Sequence, residues 1–221
     1  TFLFSSELKA LKEHPDFNRE INIDAITLQL RHNCIPAPYS IYKNIYKLLP
    51  GSYLQLKDND LKKCLIPKSK NYWSLTESAI YGNNNQLNIS EIEIEKKLEQ
   101  HLLYSVKKQM ISDVPIGAFL SGGIDSSTVV AMMQSQSSNP IKTFTIGFSE
   151  DSYSEAKYAK KIAKHLGTDH TELYISSKMS MDIIPKLPTI YDEPFSDSSQ
   201  IPTYLVSELA KQQVKVSLSG D

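Results

Sequence analysis

Cysteine is scarce. The 221 residues hold two, Cys34 and Cys64, far apart and in no CxxC or zinc-ligand spacing. That pattern argues against a disulfide framework and fits a reducing cytoplasm, which is the expected location. Charge of one sign is also lacking: 24 Lys and Arg against 25 Asp and Glu leave a net charge of −1. No electrostatic capture of nucleic acid or of an anionic membrane is therefore expected. No apolar run approaches the ~20 residues that span a bilayer. The first residues carry no basic-then-apolar pattern of a leader. There is no internal repeat and no low-complexity tract. What remains, 40% apolar and 22% charged residues, is ordinary for a soluble globular protein of one large or two small domains. The chain opens on a strand-like run, Thr1-Phe2-Leu3-Phe4, and stops at Ser219-Gly220-Asp221 just after another. An internal fragment of a longer protein is expected.

Residues 1 to about 80 mix short signals. Phe2 and Phe4 alternate as in a strand, and Ser6 to Lys12 is a short helical stretch ending before Pro15. Ile23, Ile26 and Leu30 fall at helical spacing. Pro50-Gly51 marks a turn, and Ser52 to Leu56 alternates as a strand. This reads as the tail of an α+β or mostly β domain. The polar, turn-prone run Gly82-Asn83-Asn84-Asn85-Gln86 marks a linker or a surface loop.

From Ser90 the pattern changes. Ser90 and Glu93 form a capping box, and Ile94, Leu98, Leu102, Val106 and Met110 make one apolar ridge, so a helix to about Asp113 is expected. Ile116 to Leu120 is a nearly unbroken apolar run, suited to a strand buried on both faces. A helix over Asp125 to Gln136 and a strand over Ile141 to Phe148 follow. Ser152 and Glu155 form a second capping box, before a helix striped by Ala156, Ala159, Ile162, Ala163 and Leu166 and closed by Gly167. A strand from His170 to Ile175, a helical stretch disturbed by Pro185 and Pro188, a helix over Thr203 to Gln212 and a strand over Val214 to Leu218 complete the order. Alternating strands and helices predict an α/β doubly wound parallel sheet, with right-handed crossovers and a ligand beyond the carboxyl ends of its strands.

Ser121-Gly122-Gly123-Ile124-Asp125-Ser126-Ser127 follows the first buried strand and opens a helix. Paired glycines allow a tight turn and close backbone approach. Free amides at the helix start and the helix dipole favour an anion, and three serine hydroxyls add donors. The motif thus predicts a cradle for phosphate or pyrophosphate. Asp125 would repel a bare phosphate, so a cation is expected between them, and magnesium suits carboxylate plus phosphate oxygens. The loop is neither a Gly-Lys-Ser/Thr P-loop nor GxGxxG.

SGGIDSS after a buried strand resembles the PP-loop of the ATP pyrophosphatases. Val114 to Leu120, Thr143-Phe144-Thr145-Ile146-Gly147-Phe148, Asp192-Glu193-Pro194-Phe195 and Val216 to Asp221 are similar to glutamine-hydrolysing asparagine synthetases. Phe4 to Leu11 and Leu48 to Tyr53 resemble the end of that family's glutaminase domain. The resemblance covers nearly the whole chain. It implies a PP-loop (adenine nucleotide α-hydrolase-like) domain preceded by the end of an α+β N-terminal-nucleophile glutaminase domain. Residues 1–80 would be the C-terminal part of the glutaminase (class II amidotransferase) domain, 81–89 a linker, and 90–221 the N-terminal part of the ATP-binding synthetase domain.

The implied reaction is ATP-dependent activation of aspartate to β-aspartyl-AMP, then amidation by glutamine-derived ammonia to asparagine, AMP and pyrophosphate. By the same resemblance Ser121, Gly122, Gly123, Asp125 and Ser126 would hold the pyrophosphate end, with Asp125 reaching Mg2+. Phe119 or Leu120 would contact the nucleotide, and Ile146 would line the adenine pocket. Ser219 and Gly220 match a second nucleotide-contacting loop, and Asp221 an acidic position of the reaction centre; a strand-end cap is its plainer reading. The expected partners are small molecules: ATP, aspartate, and glutamine or ammonia. A homodimer is compatible with the resemblance. Neither cysteine can be the family's N-terminal nucleophile, and the family's glutamine-binding residues, its continuation after Ser219-Gly220-Asp221 and its later catalytic lysine are not in this sequence, so this chain alone is expected to lack glutaminase activity and asparagine synthesis. Two other readings stay open: an amidotransferase of the same fold acting on another carboxylate, and a nucleotide-binding module without catalysis. Asp192, Glu193 and Asp197 are either organisers of substrate or loop acids and helix caps. His165 and His170 match no zinc helix motif.

Overall fold

Apolar runs flanked by glycine and capping residues become a four-stranded parallel sheet in the computed structural model, which describes residues 1–63, 66–148 and 155–220. The chain folds as two compact units. Thr1–Leu87 with Pro185–Asp197 forms the first, and Asn88–Ile184 with Ser198–Asp221 the second.

The first unit contains α1 (Leu8–Lys12), α2 (Ile23–His32), β1 (Ser52–Tyr53), α3 (Asp58–Lys62), β2 (Lys70–Asn71) and α4 (Leu75–Asn84). Asn22 caps α2 by accepting from Ala25 N, and Asn33 ends it in the left-handed region at φ 61°. β1 and β2 pair antiparallel over two residues each. Several expectations shorten here. Phe2 and Phe4 belong to no strand; no described strand pairs with them, and a strand without a partner leaves its backbone groups unbonded. The alternation of Ser52 to Leu56 continues past the point where its partner ends. α4 takes Gly82 to Asn84 into a helix capped by Ser74, which accepts from Glu77 N at 3.3 Å. The division between units falls after Leu87.

The second unit begins with α5 (Glu91–Gln109). Its capping box is formed both ways: Ser90 N donates to Glu93 Oε2 at 3.0 Å, and Glu93 N to Ser90 Oγ at 3.4 Å. The helix ends at Gln109, short of Asp113. Its ridge is covered at Val106 but open at Ile94 and Leu98. Then come β3 (Ile116–Phe119), α6 (Ile124–Ser135), β4 (Lys142–Phe148), α7 (Ala156–Leu166), β5 (Asp169–Ile175) and α8 (Ser177–Ile183). Gly167 ends α7 at φ 71°, as its place in the sequence predicts. The expected cap Ser152 lies outside the described residues. Pro185 and Pro188 break the next helix into a 3-10 turn, Ile184–Lys186, and α9 (Leu187–Ile190). Pro185–Asp197 returns to the first unit. α10 (Gln200–Lys211) and β6 (Val216–Leu218) close the second.

The parallel order is β5-β4-β3-β6. From β3 the chain moves outward to β4 and β5, then returns to the other side of β3. The switch point therefore lies between β3 and β6. Side chains alternate across the sheet. Ala118, Leu120 and Leu218 pack with Val106 of α5, Val130 and Met133 of α6, and Ala159 and Ala163 of α7. Phe119 and Phe144 pack with Val206, Leu209 and Ala210 of α10 and with Val214. Two apolar layers thus hold helices against a doubly wound α/β sheet. Among the described residues no helix is long and apolar enough to cross a membrane.

Candidate functional site

The loop after β3 is shaped by its own residues. Leu120, 1% exposed, still donates its N–H to Phe144 O at 3.0 Å. Gly122 lies at φ 88°, a region that side chains strain to enter. A Cβ there would also stand 2.9 Å from Ala159 N of α7. Gly123 precedes α6 in extended backbone and brings no capping side chain. Instead Ser121 Oγ accepts from Gly123 N at 3.2 Å, and Ser126 Oγ accepts from Ser121 N at 3.2 Å. The two hydroxyls lie 2.9 Å apart. Ser127 Oγ donates to Gly123 O at 2.6 Å. The serines brace the loop, a task the sequence pattern did not distinguish from offering donors to a ligand.

A cavity of about 300 Å3 opens at the carboxyl ends of the strands. Phe119, Leu120 and Ile146 reach it from the ends of β3 and β4. Ser121, Gly123, Asp125 and Ser126 line it from the loop and the start of α6. Ser219 and Gly220 enter from the end of β6. Gly220 packs so closely on the start of α6 that a Cβ would fall 2.4 Å from Ser126 N and 2.7 Å from the Asp125 carbonyl carbon. The structure thus gathers nine of the sequence-derived positions from both sides of the switch point into one cleft. Gly122 is not among them; it faces α7. Asp221 lies outside the described residues.

Sequence reasoning missed other walls. Thr145 and Phe148 line the cleft from β4, Glu155 from the start of α7, and Pro202, Thr203 and Val206 from α10. Thr145 shares a strand end with Ile146, but alternation puts the two on opposite faces and so gave no signal for it. Nothing in the local pattern marks Pro202 or Thr203.

The described lining contains two carboxylates, Asp125 and Glu155, and no Lys, Arg or His. The start of α6 favours an anion, while the two acids oppose one. An anion in such a cleft would need a cation to offset the two acids, and carboxylate oxygens are donors of the kind magnesium takes.

Of the acids after α9, Asp192 and Glu193 bond to backbone amides of the first unit. Asp192 accepts from Leu8 N at 2.7 Å and Lys9 N at 3.1 Å, capping α1 from 184 residues away. Glu193 accepts from Ile41 N at 2.8 Å and pairs with Lys47 Nζ. Burial, aided by the charge of Asp197, raises the Tyr191 hydroxyl above its usual range. His170 Nδ1 lies 2.9 Å from Thr143 Oγ1, at the opposite end of β4 from the cleft. Its Nε2 is buried without a hydrogen bond, 3.9 Å from Glu172 Oε1. Burial pushes the imidazole below its ordinary range, against the opposing charge of Glu172. Cys34 is exposed and free, and Cys64 lies outside the described residues.

Known proteins resemble this chain from end to end. The pattern of the family described as Asparagine synthase matches residues 97–221, and that of the Glutamine amidotransferase domain matches residues 1–73. A Methanocaldococcus jannaschii protein, provisionally named asparagine synthetase [glutamine-hydrolyzing] 2, is 44% identical over 223 residues, covering 100% of this chain and 41% of that protein. Asparagine synthetase [glutamine-hydrolyzing] 1 of Bacillus subtilis is 32% identical, covering 99% of this chain and 32% of its own length. The chain thus spans well under half of the curated relatives it matches. Among solved structures, an NMN synthetase from Francisella tularensis aligns at TM-score 0.40 and 16% identity, over 61% of this chain and 56% of that one. That likeness is too slight to carry an assignment.

Proposed function

The chain belongs to the asparagine synthase family, and on that footing we propose that it forms part of a glutamine-dependent asparagine synthetase, with the cleft of the second unit as its ATP site. The single observation that carries the reading is the meeting of the Ser121–Ser126 loop and Ser219-Gly220 at the switch point of a parallel sheet. Residues 1–80 are read as the end of the glutaminase domain, 81–89 as the connection and 90–221 as the beginning of the synthetase domain.

In this reading the aspartate side-chain carboxylate attacks the α-phosphorus of ATP, pyrophosphate leaves, and ammonia from glutamine displaces AMP from the acyl adenylate. Chemistry of this kind depends on positioning and charge stabilisation. The leaving pyrophosphate lies along Ser121, Gly123 and Ser126, where the amides of the α6 start face the charge that develops. Asp125 would hold magnesium, which would neutralise phosphate charge there. Phe119, Leu120 and Ile146 give the base an apolar wall. Asp221 stands at the reaction centre. The protein works in a reducing cytoplasm, where an exposed thiol such as Cys34 persists.

The test uses the full reading frame that contains this chain. AMP and pyrophosphate are measured with ATP, with and without aspartate, and with glutamine or ammonia. Aspartate-dependent AMP formation, abolished by Asp125→Ala, is the expected result. ATP binding without any response to aspartate would overturn the choice of acceptor and leave an amidotransferase for another carboxylate.

A further inference from the structure

We propose that Thr145 is a positioning residue of the cleft, its hydroxyl fixing the peptide plane from which the Ser121–Ser126 loop departs. The proposal rests on the reading of that loop as a pyrophosphate cradle. β4 carries two buried threonines on one face, Thr143 and Thr145. A buried hydroxyl needs a partner, and the two find theirs differently. Thr143 Oγ1 lies 3.0 Å from Thr168 Oγ1 and 2.9 Å from His170 Nδ1, at the far end of the sheet. Thr145, 3% exposed, donates to the carbonyl oxygen of Leu120, the last residue before the loop.

That carbonyl and the Ser121 N–H belong to one peptide unit, and a peptide unit is planar. Thr145 grips the plane at its oxygen, while Ser126 Oγ grips it at its nitrogen, 3.2 Å from Ser121 N. The same Ser126 hydroxyl is 2.9 Å from Ser121 Oγ, which in turn accepts from Gly123 N. One hydroxyl on β4 therefore sets the direction of the first loop amide, and the serine network passes that direction to the start of α6. The preceding amide, Leu120 N, is held by Phe144 O. Without Thr145 Oγ1 the plane can turn, and the serine network that holds the loop against the start of α6 loses its anchor.

The test uses the full-length protein, with inorganic pyrophosphate and magnesium as the probe in calorimetry. KM for ATP and for aspartate is measured in parallel. Thr145→Val keeps the volume and removes the hydroxyl; it is expected to weaken pyrophosphate binding about tenfold, the loss of one buried hydrogen bond. KM for ATP should rise with it and KM for aspartate stay put. Thr145→Ser, which retains the hydroxyl, should restore pyrophosphate binding. Equal binding by native protein and Thr145→Val overturns the proposal and leaves the pyrophosphate reading standing. So does a parallel rise in both KM values, which marks a general structural loss. Native protein that binds no pyrophosphate overturns the underlying reading itself. If Thr145→Val does not fold, Thr145→Ala against Thr145→Ser makes the same contrast: both lack the methyl, and only one has the oxygen. Equal affinities in that pair overturn the proposal.

Discussion

The two units of this chain are stabilised by different means. The second unit sandwiches its sheet between two apolar clusters, and Phe144, Val130, Met133 and Leu120 are almost wholly buried. The first has a small interior in which Ala25, Ile35 and Ile41 are the buried apolar residues among those described, while Phe4, Leu30 and Tyr72 stand open to solvent. Long-range polar ties take up part of the burden there. Glu193 reaches Ile41 N across 152 residues and pairs with Lys47, whose Nζ also donates to Ile35 O at 2.7 Å. A layered sheet spreads its stability over many contacts; the first unit concentrates it in a few.

The contrast can be broken at its strongest point. Phe144→Ala empties the α10 face of the sheet and should cost about 3–5 kcal/mol, read as a lower denaturant midpoint for the second unit with the first unchanged. Glu193→Ala acts on the other side. It strands Ile41 N and removes the ion pair of Lys47, which keeps its bond to Ile35 O, and should cost about 1–3 kcal/mol. Its signature is faster proteolysis within the first unit, at native ATP affinity. If that loss exceeded the Phe144 loss, the polar ties would outweigh the layered core and the comparison would invert.

Smaller changes sharpen the contrast. Ser90→Ala removes the cap of α5 and should cost about 1 kcal/mol, seen as fraying of the first turn by amide exchange. The mildest effect is pH dependence at His170. Its native pKa is depressed, so the unfolded state takes up the proton first. Stability is then fully present above about pH 6.5, the unperturbed value, and falls as pH drops toward the lower native pKa. His170→Asn should flatten that part of a melting-temperature profile; an unchanged profile would remove His170 from the account.

The same contrast explains what could be read from the sequence. In the second unit burial is periodic, so Ile116 to Leu120, Lys142 to Phe148 and the alanine stripe of α7 announce their structure. The loop motif announces the cleft as well, because glycine pair, carboxylate and serines are adjacent in the chain. Pro202, Thr203 and Glu155 were illegible, since only the folded sheet brings α10 and the start of α7 beside the loop. In the first unit, Asp192 and Glu193 left two readings open: a carboxylate bonded 152 or 184 residues away leaves no local trace. The ridge of α5 shows the opposite error, in which a clean period from Ile94 to Met110 predicts more burial than this chain supplies.

The pairing of β3 with β6 also sets a clock. Ile116 is bonded in register with Val216, one hundred residues later. A ribosome adding about 5–20 residues per second needs about 5–20 s to travel between them. For most of that interval the Ser121 loop has been made while the opposite wall of its cleft, Ser219 and Gly220, does not yet exist. On the proposed reading of the cleft as an ATP site, its completion waits for β6, and a nascent chain halted before Val216 is expected to show strands β3 to β5 and no grip on ATP.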